Sequence, residues 1–161
     1  MTSNKKVAII MGSQSDYAVM KKCEEILKIL KIKFETKIIS AHRTPDRMFT
    51  FAKKAIKNNF AVIVAGAGGS AHLPGMIASI STLPVIGVPV ETKKLKGLDS
   101  LLSIVQMPKG IPVGTVAIGE NGAFNAGLLA ASIIALSDSQ IKKKLDRWRR
   151  IQTAAIKKKP K

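Results

Sequence analysis

KVAIIMGSQSDYAVMKKCEEILKIL, residues 6–30, decides the fold. It opens on an apolar run, Val7-Ala8-Ile9-Ile10, of the kind buried on both faces of a parallel sheet. A polar turn follows, Gly12-Ser13-Gln14-Ser15-Asp16. Beyond it Met20, Cys23, Ile26, Leu27 and Leu30 recur at the spacing of one helix face, predicting a helix over residues 17–31. This is a strand, a tight turn and a helix in 25 residues, and the pattern recurs downstream.

Strands are predicted over 34–39, 61–65, 84–88 and 115–118. Between them lie helices over 45–58, with Met48, Phe49, Ala52 and Ile56 inward, over about 74–81, and over 123–136. Strands alternating with helices predict an α/β domain, a three-layer α/β/α sandwich around a central parallel sheet. At 161 residues, without internal repeat or linker, the chain reads as one domain, 1–161.

The charge first suggests a different kind of protein. There are 27 Lys+Arg against 10 Asp+Glu, a formal net charge of +17, which points to nucleic acid or an anionic surface. Five Phe, one Tyr and one Trp are too few for a base-stacking platform. Moreover, +9 of the charge lies in residues 141–161. There Ile141, Leu145, Trp148 and Ile151 keep helical spacing, so 139–156 reads as a basic amphipathic helix and 157–161 as a frayed basic tail. Such a run is most simply a solvated face.

The polar first residues and short apolar run predict no signal peptide. Residues 58–90 lack Asp, Glu, Lys and Arg, but Gly and Pro punctuate them as strand and loop, which argues against a membrane span. The single Cys23 excludes an intrachain disulfide and suits a reducing cytoplasm. With two histidines and one cysteine, a zinc site is not expected. Residues 121–137 carry no charge on any helix face and are rich in Ala and Gly, so this helix needs cover on both sides, which predicts a homo-oligomer.

Open α/β sheets bind ligands beyond the carboxyl ends of their strands, and three loops there carry chemistry. In the first, Ser13, Ser15 and the helix start suit a phosphate, while Asp16 suits ribose hydroxyls; an ordinary N-cap is the alternative. In the second, Ser40-Ala41-His42-Arg43-Thr44-Pro45-Asp46, Arg43 sits at a helix N-terminus, where the dipole disfavours a cation unless an anion joins it. His42 is one of only two histidines, the side-chain type suited to proton transfer near neutral pH; a capped loop with Thr44 as N-cap is the alternative. The third, residues 66–75, carries Gly68, Gly69, Ser70, His72 and Leu73. Its Gly66, Gly68 and Ala71, with Glu91 downstream, also fit a dinucleotide fingerprint, though mid-chain and interrupted by Pro74-Gly75. Together the loops describe a metal-free anion pocket with histidine, fit for proton transfer on a phosphorylated small molecule.

MGSQSD (11–16), SAHRTPD (40–46), AGAGGSAHLPGMIA (65–78), GVPV (87–90) and SIVQMPKGIPVGTVAIG (103–119), in this order, resemble the class I N5-carboxyaminoimidazole ribonucleotide mutases of purine biosynthesis. The resemblance runs from about Val7 to Trp148. It implies a flavodoxin-like sandwich assembled as a homo-octamer, in which the C-terminal helix reaches a neighbour. It implies a carboxylate moved from the exocyclic amine of a phosphoribosyl imidazole to ring carbon 4, without metal or organic cofactor. His42 is the implied acid/base. Ser13, Ser15, Asp16, Ser40 and Arg43 hold the phosphoribosyl part, and Gly68, Gly69, Ser70, His72 and Leu73 line the base and carboxylate pocket. The ATP-dependent synthetase that makes the carbamate is a candidate transient partner. Tyr17 stands where many relatives have Trp, and Ser70 where many have Ala. Two other readings stay open: a class II carboxylase using CO2 directly, and a basic nucleic-acid-binding module of the same fold.

Overall fold

The computed structural model describes residues 5–159. Five strands, β1 (Lys6–Met11), β2 (Phe34–Ile38), β3 (Phe60–Gly68), β4 (Val85–Val90) and β5 (Gly114–Thr115), form one sheet in the order β2-β1-β3-β4-β5, every pair parallel. This is the flavodoxin-like order, with its reversal at β1 and β3. Six helices accompany the strands: α1 (Tyr17–Ile29), α2 (Pro45–Lys54), α3 (Leu73–Ala78), α4 (Leu98–Val105), α5 (Gly119–Ala135) and α6 (Ser139–Ala155).

Strand alternation divides the core in two. Val7, Ile9 and Met11 face one side with α1, α5 and α6; Ala8 and Ile10 face the other with α2, α3 and α4. The whole predicted stripe of α1, Met20, Cys23, Ile26, Leu27 and Leu30, is buried. At roughly 1.5–3 kcal/mol for each fully buried aliphatic side chain, that stripe alone commits α1 to the sheet. The close approach of α1 to α5 depends on Gly127, where a Cβ would lie 2.4 Å from Cγ2 of Ile26.

Several boundaries differ from those expected. The second helix ends at Lys54, four residues short of Asn58, in a turn that passes through Asn59 at φ +68°. Its inward residues are Met48, Phe51 and Ala52, while Phe49 and Ile56 are exposed. The third strand runs on through Gly66, Ala67 and Gly68, paired with Val88, Pro89 and Val90. The fifth strand is two residues long, because past Thr115 the chain turns away toward α5. In α6, Ile141 and Leu145 are buried and Trp148 packs on Phe124, but Ile151 is exposed beyond the end of the core. Pro160 and Lys161 of the expected tail lie outside the described residues.

The charge-free helix is covered more fully by its own chain than its composition suggested. The sheet, α1 and α6 bury Ala123, Ala126, Gly127, Ala130, Ala131 and Ile134, leaving a strip with Asn121, Asn125, Leu129 and Leu136 exposed. Among the described residues, no helix is long and apolar enough to cross a membrane.

Candidate active site

Met11, the last residue of β1, pairs with Ile38 of β2 and with Gly66 of β3. The loops that follow these three strands therefore leave from the same end of the sheet, the third of them two residues beyond the other two. Between them lies a cavity of about 460 Å³. Its walls include all eleven residues singled out from the sequence: Ser13, Ser15, Asp16, Ser40, His42, Arg43, Gly68, Gly69, Ser70, His72 and Leu73. Glu91 and Thr92 line it too. They follow β4, so the rule that pointed to the first three loops reaches this fourth one.

The first loop is a closed capping box. The Ser13 hydroxyl accepts from the Ser15 N–H at 3.4 Å and from the Ser15 hydroxyl at 3.0 Å, and the Ser13 N–H donates to Oδ2 of Asp16 at 3.1 Å. The box caps a 3-10 turn, Gln14–Asp16, that leads into α1, so the N-cap reading and the binding reading fall on the same residues, which are also a wall of the cavity.

The second loop closes on itself. Thr44 does not cap α2; its hydroxyl accepts from the Ser40 N–H and donates to the Ser40 carbonyl, both at 2.9 Å. Nε of Arg43 donates to the Ser40 hydroxyl at 3.1 Å, and Nη2 donates to the Gly12 carbonyl at 2.7 Å. The cation at this helix start is thus partly satisfied by a carbonyl of the neighbouring loop. It fixes the first two loops to each other and presents a guanidinium at the cavity wall.

The third loop brings the two histidines together. Nε2 of His42 lies 2.8 Å from Nδ1 of His72, with the rings edge to face at 84°. One proton serves that contact, so one ring donates and the other accepts. Leu73, 2% exposed, adds an apolar surface beside them. The dinucleotide fingerprint does not survive, since Gly66 and Gly68 are paired residues of β3. That fingerprint needs its glycines in the turn between strand and helix. Gly66 has a packing reason instead: a Cβ there would lie 2.3 Å from the sulfur of Met20.

The titration of Asp16 is displaced upward. Burial holds its carboxyl above the ordinary value of 3.8, against the opposing effects of the Ser13 N–H, the Ser15 hydroxyl, the Gly12 N–H and the Arg43 charge. A raised folded value means that protonation favours the native state. The resulting stabilisation is complete below 3.8 and is lost as pH rises through the folded value. At neutral pH the ionised carboxylate therefore costs stability at a ligand-facing position. Asp16→Asn is expected to melt no lower than the parent at pH 7, with the difference shrinking below pH 4; a clear drop in Tm at pH 7 would refute this.

The match to known proteins is extensive. The family model described as AIR carboxylase matches residues 6–155. An N5-carboxyaminoimidazole ribonucleotide mutase of Brucella melitensis is 58% identical over 154 residues, covering 96% of this chain and 95% of that protein. The protein of that name in Escherichia coli K12 is 55% identical over 151 residues, covering 94% and 89%. Among solved structures, Treponema denticola PurE superposes with a TM-score of 0.84 at 27% identity, covering 93% of this chain and 92% of that one. Motifs, sheet order and match over nearly the whole length agree, and the chain belongs to the AIR carboxylase family.

Proposed function

We propose that this protein is a cytoplasmic N5-carboxyaminoimidazole ribonucleotide mutase, converting the carbamate nucleotide to 4-carboxy-5-aminoimidazole ribonucleotide without metal or organic cofactor. The observation that carries the reading is the convergence of the three motif loops on one cavity, in a chain 55–58% identical to proteins of that name. Arg43, Ser13, Ser15 and Ser40 hold the phosphate end, and Asp16 accepts from ribose hydroxyls. Gly68, Gly69, Ser70, His72 and Leu73 surround the imidazole and its carboxylate.

Proton bookkeeping explains why one acid/base suffices. When the carbamate loses CO2, the exocyclic nitrogen gains a proton; when ring carbon 4 attacks that CO2, it must release one. The sum is zero, so a single group that gives and then takes back a proton completes the cycle. His42 is that group. Its contact with His72 means that a bound substrate must replace His72 as the partner of Nε2, or react at the other ring nitrogen. Keeping CO2 in the cavity makes recapture intramolecular, an advantage worth up to roughly 7–11 kcal/mol with good alignment.

Two assays test the reading. The purified protein is expected to convert the carbamate nucleotide in the absence of ATP and metal, and His42→Asn to lose turnover by about 10²–10⁴-fold while binding substrate within a few-fold. Turnover only from aminoimidazole ribonucleotide plus CO2 would move the protein to the carboxylase reading, and a His42→Asn variant within a few-fold of the parent would remove His42 from the chemistry.

The assembly belongs to the same proposal. Leu98, Leu102 and Val105 lie half exposed along one side of α4, and Leu129 and Leu136 are exposed on α5. Apolar rows of this kind support burial against other copies, with the octamer as the expected assembly. Light scattering is expected to return eight chains, and Leu102→Asp a smaller species; a monomeric parent would contradict it.

A further inference from the structure

α4 supplies no residue to the cavity wall, yet two walls hang from it. Gly68 and Val90 are the last paired residues of β3 and β4. One step further, the strands are joined through a side chain. The Gly69 N–H donates to the Ser100 hydroxyl at 2.9 Å, and that hydroxyl donates to the Val90 carbonyl at 2.6 Å. Ser100 is fully buried, and among the described residues its hydroxyl bonds to these two partners. The effect is that of a wedge. The N–H of the residue just past β3 and the last carbonyl of β4 are bridged by one hydroxyl oxygen.

The residue so held is the pivot of the third loop. Gly69 has φ +68°, and a Cβ there would meet nothing within 4 Å, so glycine is required by backbone conformation alone. Its carbonyl lies 3.3 Å from the Ser103 hydroxyl, which is also 2.7 Å from the Asp99 carbonyl; with one proton to give, Ser103 is the weaker hold. In the first turn of α4, Asp99 accepts from the Thr92 hydroxyl at 2.9 Å, fixing the wall that follows β4. The Gly69 N–H is therefore already spent, and carboxylate contact from this loop falls to donors beyond it, beginning at Ser70.

We propose that Ser100 is a positioning residue for the reaction: its hydroxyl, wedged between β3 and β4, sets the Gly69 turn and with it the placing of the Ser70 and His72 segment over the reacting carbons. This rests on the functional reading above. The phosphate grip is on other loops, so the wedge acts on the chemical step and leaves binding of the phosphoribosyl end alone. A misplacement of about 1 Å is enough to cost on the order of 100-fold in rate.

The experiment compares the full-length assembled protein with Ser100→Ala and Ser100→Cys. It reads kcat and KM with the carbamate nucleotide, the Kd of ribose 5-phosphate, and amide exchange at Gly69 by NMR. Expected for Ser100→Ala are a kcat lowered roughly 10- to 100-fold, an unchanged ribose 5-phosphate Kd and lost protection at Gly69. Ser100→Cys, which keeps a weaker donor and acceptor in place, is expected to recover part of kcat. A parental kcat in Ser100→Ala overturns the proposal, as does a parental Gly69 amide that exchanges as fast as that of Ser70. If Ser100→Ala does not assemble, Ser100→Cys decides: reduced kcat with a loosened Gly69 supports the wedge, and full kcat with a loosened Gly69 overturns it. Absence of turnover by the parent would count against the functional reading, and Gly69 protection would then test the wedge by itself.

Discussion

The double pairing of β1 is the constraint on which everything else depends. Met11 is in register with Ile38 on one side and Gly66 on the other. Three chain segments far apart in sequence are thereby brought to the same end of the sheet, β3 running two residues further than β1 and β2, and whatever follows them must meet. β1 holds this place because Val7 to Met11 are fully buried, feeding alternate side chains into two cores. Parallel pairing permits no hairpin shortcut, so helices must return the chain each time, and the polar loops collect at the carboxyl edge.

The cavity at that edge is held by its own polar groups. Arg43 ties the second loop to the Gly12 carbonyl, the Ser13–Asp16 box closes the first, and Ser100 props the third from behind. Each of these holds a group at the cavity wall, so the loops are prearranged at some cost in stability. The raised titration of Asp16 is the clearest sign of that cost. The large formal charge plays little part here. Much of it lies along α6 and the residues beyond, whereas the cation that shapes the site is the single guanidinium of Arg43.

Much of this was legible in the sequence, and the reasons are physical. Apolar runs bounded by glycine and polar turns place four strands nearly correctly; β1, β3 and β4 are buried along most of their length, while β2 is partly exposed throughout. The three motif loops were found because they follow those strands, and all eleven residues drawn from them line one cavity. What escaped was decided by tertiary contact. The helix Leu98–Val105 buries Ser100 beside Ile104 and leaves Leu98 and Leu102 half exposed, so hydrophobicity alone does not mark its packed face. Gly66 and Gly68 looked like loop because glycine is a poor strand former, yet Met20 fills the space that a side chain at Gly66 would need. Helical spacing over 45–58 points Phe49 and Ile56 inward, but the packed face of α2 runs through Met48, Phe51 and Ala52.

Under the proposed function, this cavity keeps the carboxyl carbon while it moves from nitrogen to carbon. Carbon tracing tests it most directly. Substrate labelled with 13C at the carbamate carbon, turned over in unlabelled bicarbonate, is expected to give product that keeps the label, because recapture outruns escape. Product carrying mainly unlabelled carbon would show exchange with bulk CO2 and contradict the claim.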